Sequence, residues 1–421
     1  MKKRFIAAFL AAAFVLTAFS GCDASVKSKN LTDGIKPDAV PVYNNFEKNE
    51  NTAVADFAAK LIKNAKSENG NVVVSPLSVL CALAMTANGA DGETLSQMEE
   101  VFGMDMETLN NYLHSTANLL PSDVGYDFDI ANSLWITNDE GKFVVNDDFL
   151  RIVKSYYDAG VFTADFSDKQ TLKDINSWVT QKTNGQIQNI LDKIDENAVM
   201  YLVNALNFEA DWLNQYYEND VHTGTFTKAD GRTQDAEFMY MSENGYLEDE
   251  NTTGFIKYYK DKKYAFVALL PDENVKTEDY LNTLSGEKLS NLLNNIDAEQ
   301  KVETAIPKFE TTFDTEMSEL FKNLGMTDAF DWRVADFSKM GTAQQAGENV
   351  CINRVIHKGF IRVAEKGTQA GAATVVEMIA EGAMFIEEPP KQVYLDRPFV
   401  YMIIDTQNDL LLFMGTVCEI E

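Results

Sequence analysis

A chain that mixes helices with β-strands is expected from three features of this sequence. Stretches that alternate apolar and polar with a period of two occur alongside apolar helix-like runs. No Pro/Gly/Ser-rich linker divides the 421 residues, and no repeat period is present. Near the C-terminus, strand-like alternation continues into a region whose flanks read as loop.

The elements follow in chain order. Lys2-Lys3-Arg4 is a basic start, and Phe5 to Ala18 is an apolar run of signal-peptide length. That run is short for a spanning helix, which needs about 20 residues. Residues 1–21 are read as a lipoprotein-type signal peptide, because Phe19-Ser20-Gly21 before Cys22 resembles a bacterial lipoprotein cleavage box. Cys22 would then carry several acyl chains, and more than one chain is what stable membrane anchoring requires. A plain secretory signal cut near Ala24 or Ser25 is the alternative. The chain is thus expected to be exported, as a cell-surface lipoprotein held to the membrane at Cys22 or else secreted. Residues 22–48 are polar and read as a flexible tether, with the folded domain over 49–421.

Within that domain, Ala82-Leu83-Ala84-Met85, Leu95 to Met98 and Trp178 to Ile190 read as helix segments with core-facing apolar positions. Val355, His357, Gly359, Ile361 and Val363 share one face of a strand. Phe399 to Ile404 and Leu410 to Val417 form a hairpin across Thr406 to Asp409, where turn residues cluster. Beyond Cys22 the cysteines are Cys81, Cys351 and Cys418, an odd number that cannot pair fully. Cys81 falls in an apolar helix and the other two in strand-like runs, so all three are expected as buried thiols.

The most informative stretch runs from Glu365 to Glu381. Thr368, Ala370, Ala372, Thr374, Val376, Met378 and Ala380 line one face. Gln369, Gly371, Ala373, Val375, Glu377, Ile379 and Glu381 line the other, which holds all the charge. A strand already ends at Val363, and Glu387 to Pro390 is loop. The segment reads as a strand written into a loop, exposed in one state and inserted in a sheet in another.

Composition narrows the function. A formal net charge of −29 argues against nucleic acid, whose binding depends on clustered Lys and Arg. The three histidines, His114, His222 and His357, are scattered and form no metal-ligand spacing. No Cys-x-x-Cys, Gly-x-Ser-x-Gly elbow or phosphate-cradling glycine loop occurs. No catalytic residue, metal or cofactor is assigned, and the chain is not read as an enzyme.

Together with that stretch, motifs spread along the chain resemble the serpin family. They are Asn71-Val-Val-Val-Ser75-Pro76-Leu-Ser78-Val79, Leu202 to Phe208 with Trp212, Ile306-Pro307-Lys308-Phe309, Val355-Ile356-His357-Lys358, Arg397-Pro398-Phe399 and Leu412-Phe413-Met414-Gly415. They lie in family order over roughly residues 50 to 420. The resemblance implies an α+β fold, one domain with a large mixed β-sheet A, two further sheets, about eight to nine helices and an exposed reactive loop over about 365–396. The hinge of that loop would be Glu365, Gly367, Thr368, Gln369, Ala370, Gly371, Ala372, Ala373 and Thr374. His357, Ser75, Ser78 and Asn204 match a polar cluster beneath the place where the sheet parts. Trp212 and Lys308 match positions at the top of the same gap, with Glu365 placed to pair with Lys308.

What the resemblance implies is a monomeric suicide-type inhibitor whose partner is a serine protease in a covalent complex. Small side chains at Ala370, Gly371, Ala372 and Ala373 favour fast insertion of the loop into the sheet. Counting from Glu365 in the family register places the reactive bond between Glu381 and Gly382, with Ala380, Ala383 and Met384 as neighbouring alternatives. Counting back from Pro398 gives a site near Glu387, because this loop is about six residues longer than typical. Lys and Arg are absent from Gly367 to Pro390, so elastase-like, subtilisin-like or glutamate-preferring proteases are the expected targets. A non-inhibitory binding or chaperone member, and an inhibitor of cysteine proteases, are the alternatives. Some serpins are activated by glycosaminoglycans through a basic helix. The corresponding Met106 to Asn118 contains no Lys or Arg, and no such activation is expected.

Overall fold

The computed structural model describes residues 26–368 and 389–421, apart from 121–125, 138–142, 184, 186, 188, 196–197 and 344–349. Cys22, the hinge from Gln369 to Thr374, and Ala380, Glu381, Gly382, Ala383 and Met384 lie outside the described residues.

The described residues form nine α-helices and three sheets, an α+β architecture. Sheet A has seven strands in the order Lys29–Asn30, Gly160–Ala164, Tyr126–Thr137, Met200–Asp211, Gly367–Thr368, Arg354–Ala364 and Phe309–Glu316. A nine-stranded sheet packs behind it, with the hairpin Phe399–Asp405 and Leu410–Val417 toward one end, next to the edge strand Val72–Val74. Phe143–Val145 pairs with Gly341–Ala343 as the third sheet.

Both strands of the hairpin are buried along their whole length. Its tip is closed by the Asp405 carboxylate, which accepts from the amides of Gln407 at 2.8 Å and Asn408 at 3.2 Å, as an Asx turn does. The helix Pro76–Ala87 starts where Ser75 Oγ accepts from the Ser78 amide at 3.3 Å and Pro76 occupies the first turn. All its residues are buried, so it carries no polar face. It packs under the strands Tyr126–Thr137 and Met200–Asp211, which places Ser75 and Ser78 below the middle of sheet A.

Four expectations change. The helix expected over Trp178 to Ile190 ends at Lys182. There the Thr183 hydroxyl donates back to the Val179 carbonyl at 2.9 Å and accepts from the Ile187 amide at 3.1 Å. Gly185 at φ +85° then turns the chain away. Ile187, Ile190 and Leu191 stay buried beyond it, so their apolar spacing reports the core rather than a helix. Cys351 and Cys418 lie just outside strands, yet all three thiols are buried and free. Burial pushes Cys81 up to about 12 and Cys418 to about 11.

The third change concerns the stretch read as a tether over 22–48, whose described part is docked. Lys27 N and Ser28 N donate to Asp174 Oδ2 at 3.0 and 2.7 Å, and Lys29–Asn30 adds a short edge strand opposite Thr163 and Phe162. Further along, Ser155 Oγ accepts from the Asp38 amide and Ser115 Oγ from the Tyr43 amide. These contacts are hydrogen bonds made by polar residues to an open sheet edge and helix side chains. A reading based on hydropathy has no means of detecting them. Lastly, Lys391–Tyr394, placed within the loop over 365–396, is a strand parallel to Val302–Ala305.

Candidate functional site

The strands Met200–Asp211 and Arg354–Ala364 border a gap in sheet A. They pair directly at four positions, from Tyr201 opposite Arg354 to Asn204 opposite His357. At the other end Gly367–Thr368 is wedged between them. Gly367 lies opposite Asp211 and Ala364, and Thr368 opposite Ala210 and Val363. Between these two zones, among the described residues, 205–209 and 358–362 are not paired with each other.

The first two residues beyond the hinge turn are therefore seated in the sheet. Only glycine fits at 367, because a Cβ there would meet the Ala210 carbonyl at 2.0 Å. Thr368 is 1% exposed, and its hydroxyl bonds the Tyr259 hydroxyl at 2.6 Å. Tyr259 stacks on Trp212, with ring centroids 4.3 Å apart. Trp212 Nε1 donates to the Ala364 carbonyl at 2.9 Å and its amide to the Lys366 carbonyl at 2.8 Å. The Tyr216 amide donates to the Glu365 carbonyl at 2.9 Å.

Lys308 stands beside this root. Its ammonium reaches Glu365 Oε1 and Glu237 Oε2, both at 2.8 Å. The Glu237 and Glu365 carboxylates raise the Lys308 ammonium above the ordinary lysine value. Burial pushes the Glu365 carboxyl up, but hydrogen bonds from Lys308 and its own backbone outweigh it and leave it lowered. The pair keeps its charges from above the carboxylate range to below the lysine range. With side chains 29% and 36% exposed, it is worth about 0–1 kcal/mol.

At the lower end, Asn204 Nδ2 donates to the Ser78 carbonyl at 2.9 Å and to Asn132 Oδ1 at 2.6 Å. Asn204 faces His357 across the strand pair. Ser75, Ser78, Asn204 and His357 are all buried. This cluster is under-satisfied rather than fully bonded. Ser78 Oγ, Asn204 Oδ1 and both ring nitrogens of His357 close no hydrogen bond among the described residues. Such orphans are costly, about 1–3 kcal/mol each.

Burial is the largest influence on His357 and pushes its imidazole down to about 4, against smaller opposing pulls from the Val73 carbonyl and Asp314. The ring is neutral at pH 7. As pH falls, the unfolded chain takes up this proton first, so the stability His357 supports is complete above about pH 6.5 and is lost between 6.5 and 4. A depression from 6.5 to about 4 corresponds to about 3 kcal/mol. Denaturation midpoints at pH 7.5, 6, 5 and 4 should fall more steeply for the wild type than for His357→Asn. Parallel curves would remove His357 as the cause.

Of the expected site residues that are described, the structure gathers Glu365, Gly367, Thr368, Trp212 and Lys308 at the top of the gap. It sets Ser75, Ser78, Asn204 and His357 at its lower end. Asn132, Tyr216, Glu243, Lys257 and Tyr259 also belong to this region and were not singled out from sequence. Asn132 offers a faint signal, an amide that with Ser133 interrupts the otherwise apolar run from Ile130 to Ile136. Lys257 offers none, because a lysine is ordinarily exposed.

The family described as Serpin (serine protease inhibitor) matches residues 52–420. An uncharacterized serpin-like protein of Thermococcus kodakarensis is 30% identical over 369 residues, covering 86% of this chain and 84% of its own. The native-state crystal structure of a thermophilic serpin, tengpin, is 44% identical and superposes with a TM-score of 0.87 over 94% of this chain and all of that one. The latent-state structure of tengpin superposes at 0.77, with 43% identity over 90% of this chain and all of that one. The fold described here is therefore more similar to the native arrangement than to the latent one. With a family match over most of its length, this chain belongs to the serpin family.

Proposed function

We propose that this protein is a suicide-type serine protease inhibitor that works by inserting its cleaved reactive loop into sheet A. The observation that carries this is the seating of Gly367 and Thr368 at the head of the gap. Continued in the same register, Ala370 falls opposite Phe208 and Ile361, and Ala372 opposite Leu206 and Gly359. Thr374 falls opposite Asn204 and His357, and Met378 opposite Met200, the first residue of its strand. All of these share the face of Thr368, which is buried. The hinge thus offers small and apolar side chains to the core. Its hydroxyl at Thr374 arrives where Ser78, Asn204 and His357 have unpaired polar atoms.

The chemistry is that of acyl transfer. The protease serine Oγ attacks the carbonyl carbon of Glu381, an ester forms, and the bond to the Gly382 nitrogen breaks with that amine leaving protonated. The freed hinge then displaces the four direct pairs between 201–204 and 354–357 and fills the gap as a central strand, a known mode of β-augmentation. The fifteen residues from Gly367 to Glu381 span about 50 Å at ~3.3 Å each. The tethered protease is carried by that order of distance before water can release it. Until cleavage, the loop-out form is held by a kinetic barrier.

The register supports cleavage at Glu381 over Glu387. Met378 reaches the end of the strand Met200–Asp211, so a cut at Glu381 leaves a short tether and pulls the protease against the base of the molecule. A cut at Glu387 would leave six more residues of slack. The protein should be mixed with subtilisin-like, elastase-like and glutamate-preferring proteases, and the products resolved in denaturant. A denaturant-stable adduct is expected, with a released C-terminal peptide beginning at Gly382, or at Glu381 if the Ala380–Glu381 bond is cut. Cleavage by every protease without an adduct would overturn inhibition, and a peptide beginning at Glu388 or beyond would overturn the register.

A further inference from the structure

Lys257 and Glu243 form a buried ion pair that the mechanism above leaves unused. Lys257 lies in the strand Thr252–Tyr258 and Glu243 in Thr233–Asp249, with side chains 1% and 8% exposed. A buried ion pair is weak evidence for stability, because apolar residues of similar volume often serve as well. Its surroundings suggest a different role. The Lys257 ammonium donates to the Asn214 carbonyl at 3.1 Å. It also sits 4.4 Å from the ring centroid of Tyr216 and 5.3 Å from that of Trp212. One ammonium thus touches the first, third and fifth residues of the segment 212–216.

That segment grips the root of the hinge. Its amides and the Trp212 indole hold three consecutive carbonyls, those of Ala364, Glu365 and Lys366. The next two residues, Gly367 and Thr368, are the ones seated in the gap. The Lys308–Glu365 pair touches the same root from outside, but it is part-exposed and open to screening.

We infer that Lys257, held by Glu243, is a positioning residue for loop insertion: it pins 212–216 so that the hinge turn is fixed and Gly367–Thr368 stay seated as the nucleus from which the strand grows. Lys257 is buried and offers no surface to a protease. It acts through Trp212 and Tyr216, and desolvated cation–π contacts are strong enough to matter here. The part of this inference that concerns inhibition rests on the proposed function above.

The test uses Lys257→Met combined with Glu243→Leu, which removes both charges together and leaves no lone buried ion. Amide hydrogen exchange at Gly367 and Thr368 should quicken by about tenfold, the scale of one or two such contacts. The number of inhibitor molecules consumed per protease trapped should rise severalfold, while the rate of first cleavage stays the same because the bait is untouched. Unchanged exchange in the folded variant overturns the clamp. Faster exchange with unchanged stoichiometry overturns its role in insertion. If the double variant does not fold, Tyr216→Leu should shift exchange in the same direction by less, and no shift overturns the clamp. If the wild type traps no protease, the inhibitory reading fails, and the exchange arm still decides whether the clamp exists.

Discussion

Cleavage of the reactive loop should raise the melting temperature of this protein. Most nicked proteins lose stability, so the sign is informative. The gap between Met200–Asp211 and Arg354–Ala364 leaves backbone groups of 205–209 and 358–362 without each other as partners. Insertion of residues 369–378 would supply them with a central strand. Each net hydrogen bond contributes about 1 kcal/mol, so ten residues supply on the order of 10 kcal/mol, to which burial of Val376 and Met378 adds. A domain of this size gains roughly a degree per 0.8 kcal/mol, from an unfolding entropy of about 2.1 cal/mol/K per residue. The rise should be roughly 10–15 °C or more. Calorimetry of intact protein against protein nicked between Glu381 and Gly382 would measure it. A nicked form melting at or below the intact one would mean that the loop does not enter the sheet.

The second large effect is expected from Thr368→Arg. Sequence alone places the burden of this change on insertion, since a guanidinium would be buried unpaired. The structure moves that burden to the resting state, where Thr368 is 1% exposed and bonded to Tyr259. Arginine at 368 should therefore push the hinge out of the gap before any protease arrives. Returning it costs several kcal/mol, so hydrolysis of the acyl-enzyme would outrun insertion. The protein should be cut at a normal rate, form little or no adduct, and require at least about tenfold more inhibitor per protease, the ratio for 1.4 kcal/mol. Thr368→Val, which loses only the hydroxyl bond of about 1 kcal/mol, should keep most of the adduct. An arginine variant that traps protease as well as the wild type would sink the insertion mechanism.

Much of the architecture is legible before any coordinates. The hairpin from Phe399 to Val417 announces itself through two apolar runs and the Thr406–Asp409 turn. The helix through Ala82 to Met85 announces itself through its apolar run, and the structure starts it at a Ser75 cap. Both signals are local, since a turn and an apolar run are decided by residues a few positions apart. The helix expected to continue to Ile190 shows the limit. Apolar spacing records what is buried, and Thr183 with Gly185 ends the helix while the burial goes on. The docked segment from Lys27 to Tyr43 escaped because it brings few apolar side chains, Leu31 and Ile35, to the core, and its hydrogen-bond partners Asp174, Ser155 and Ser115 lie on distant elements.

The hinge divides in the same way. By itself the sequence determined that residues 368–380 can form a strand with one small, apolar face, because side-chain alternation is a property of the segment alone. Only the tertiary structure decided where Gly367 and Thr368 lie, because a strand's hydrogen bonds come from neighbours, here Met200–Asp211 on one side and Arg354–Ala364 on the other. Likewise, Lys257 in its strand looks like any surface lysine. It becomes a buried cation on Trp212 and Tyr216 only once Glu243 and the segment 212–216 close over it. Burial works against the charge there and the Glu243 carboxylate partly offsets it; the fold brings that carboxylate, a carbonyl and two aromatic faces to one point, and no stretch of contiguous sequence holds all of them.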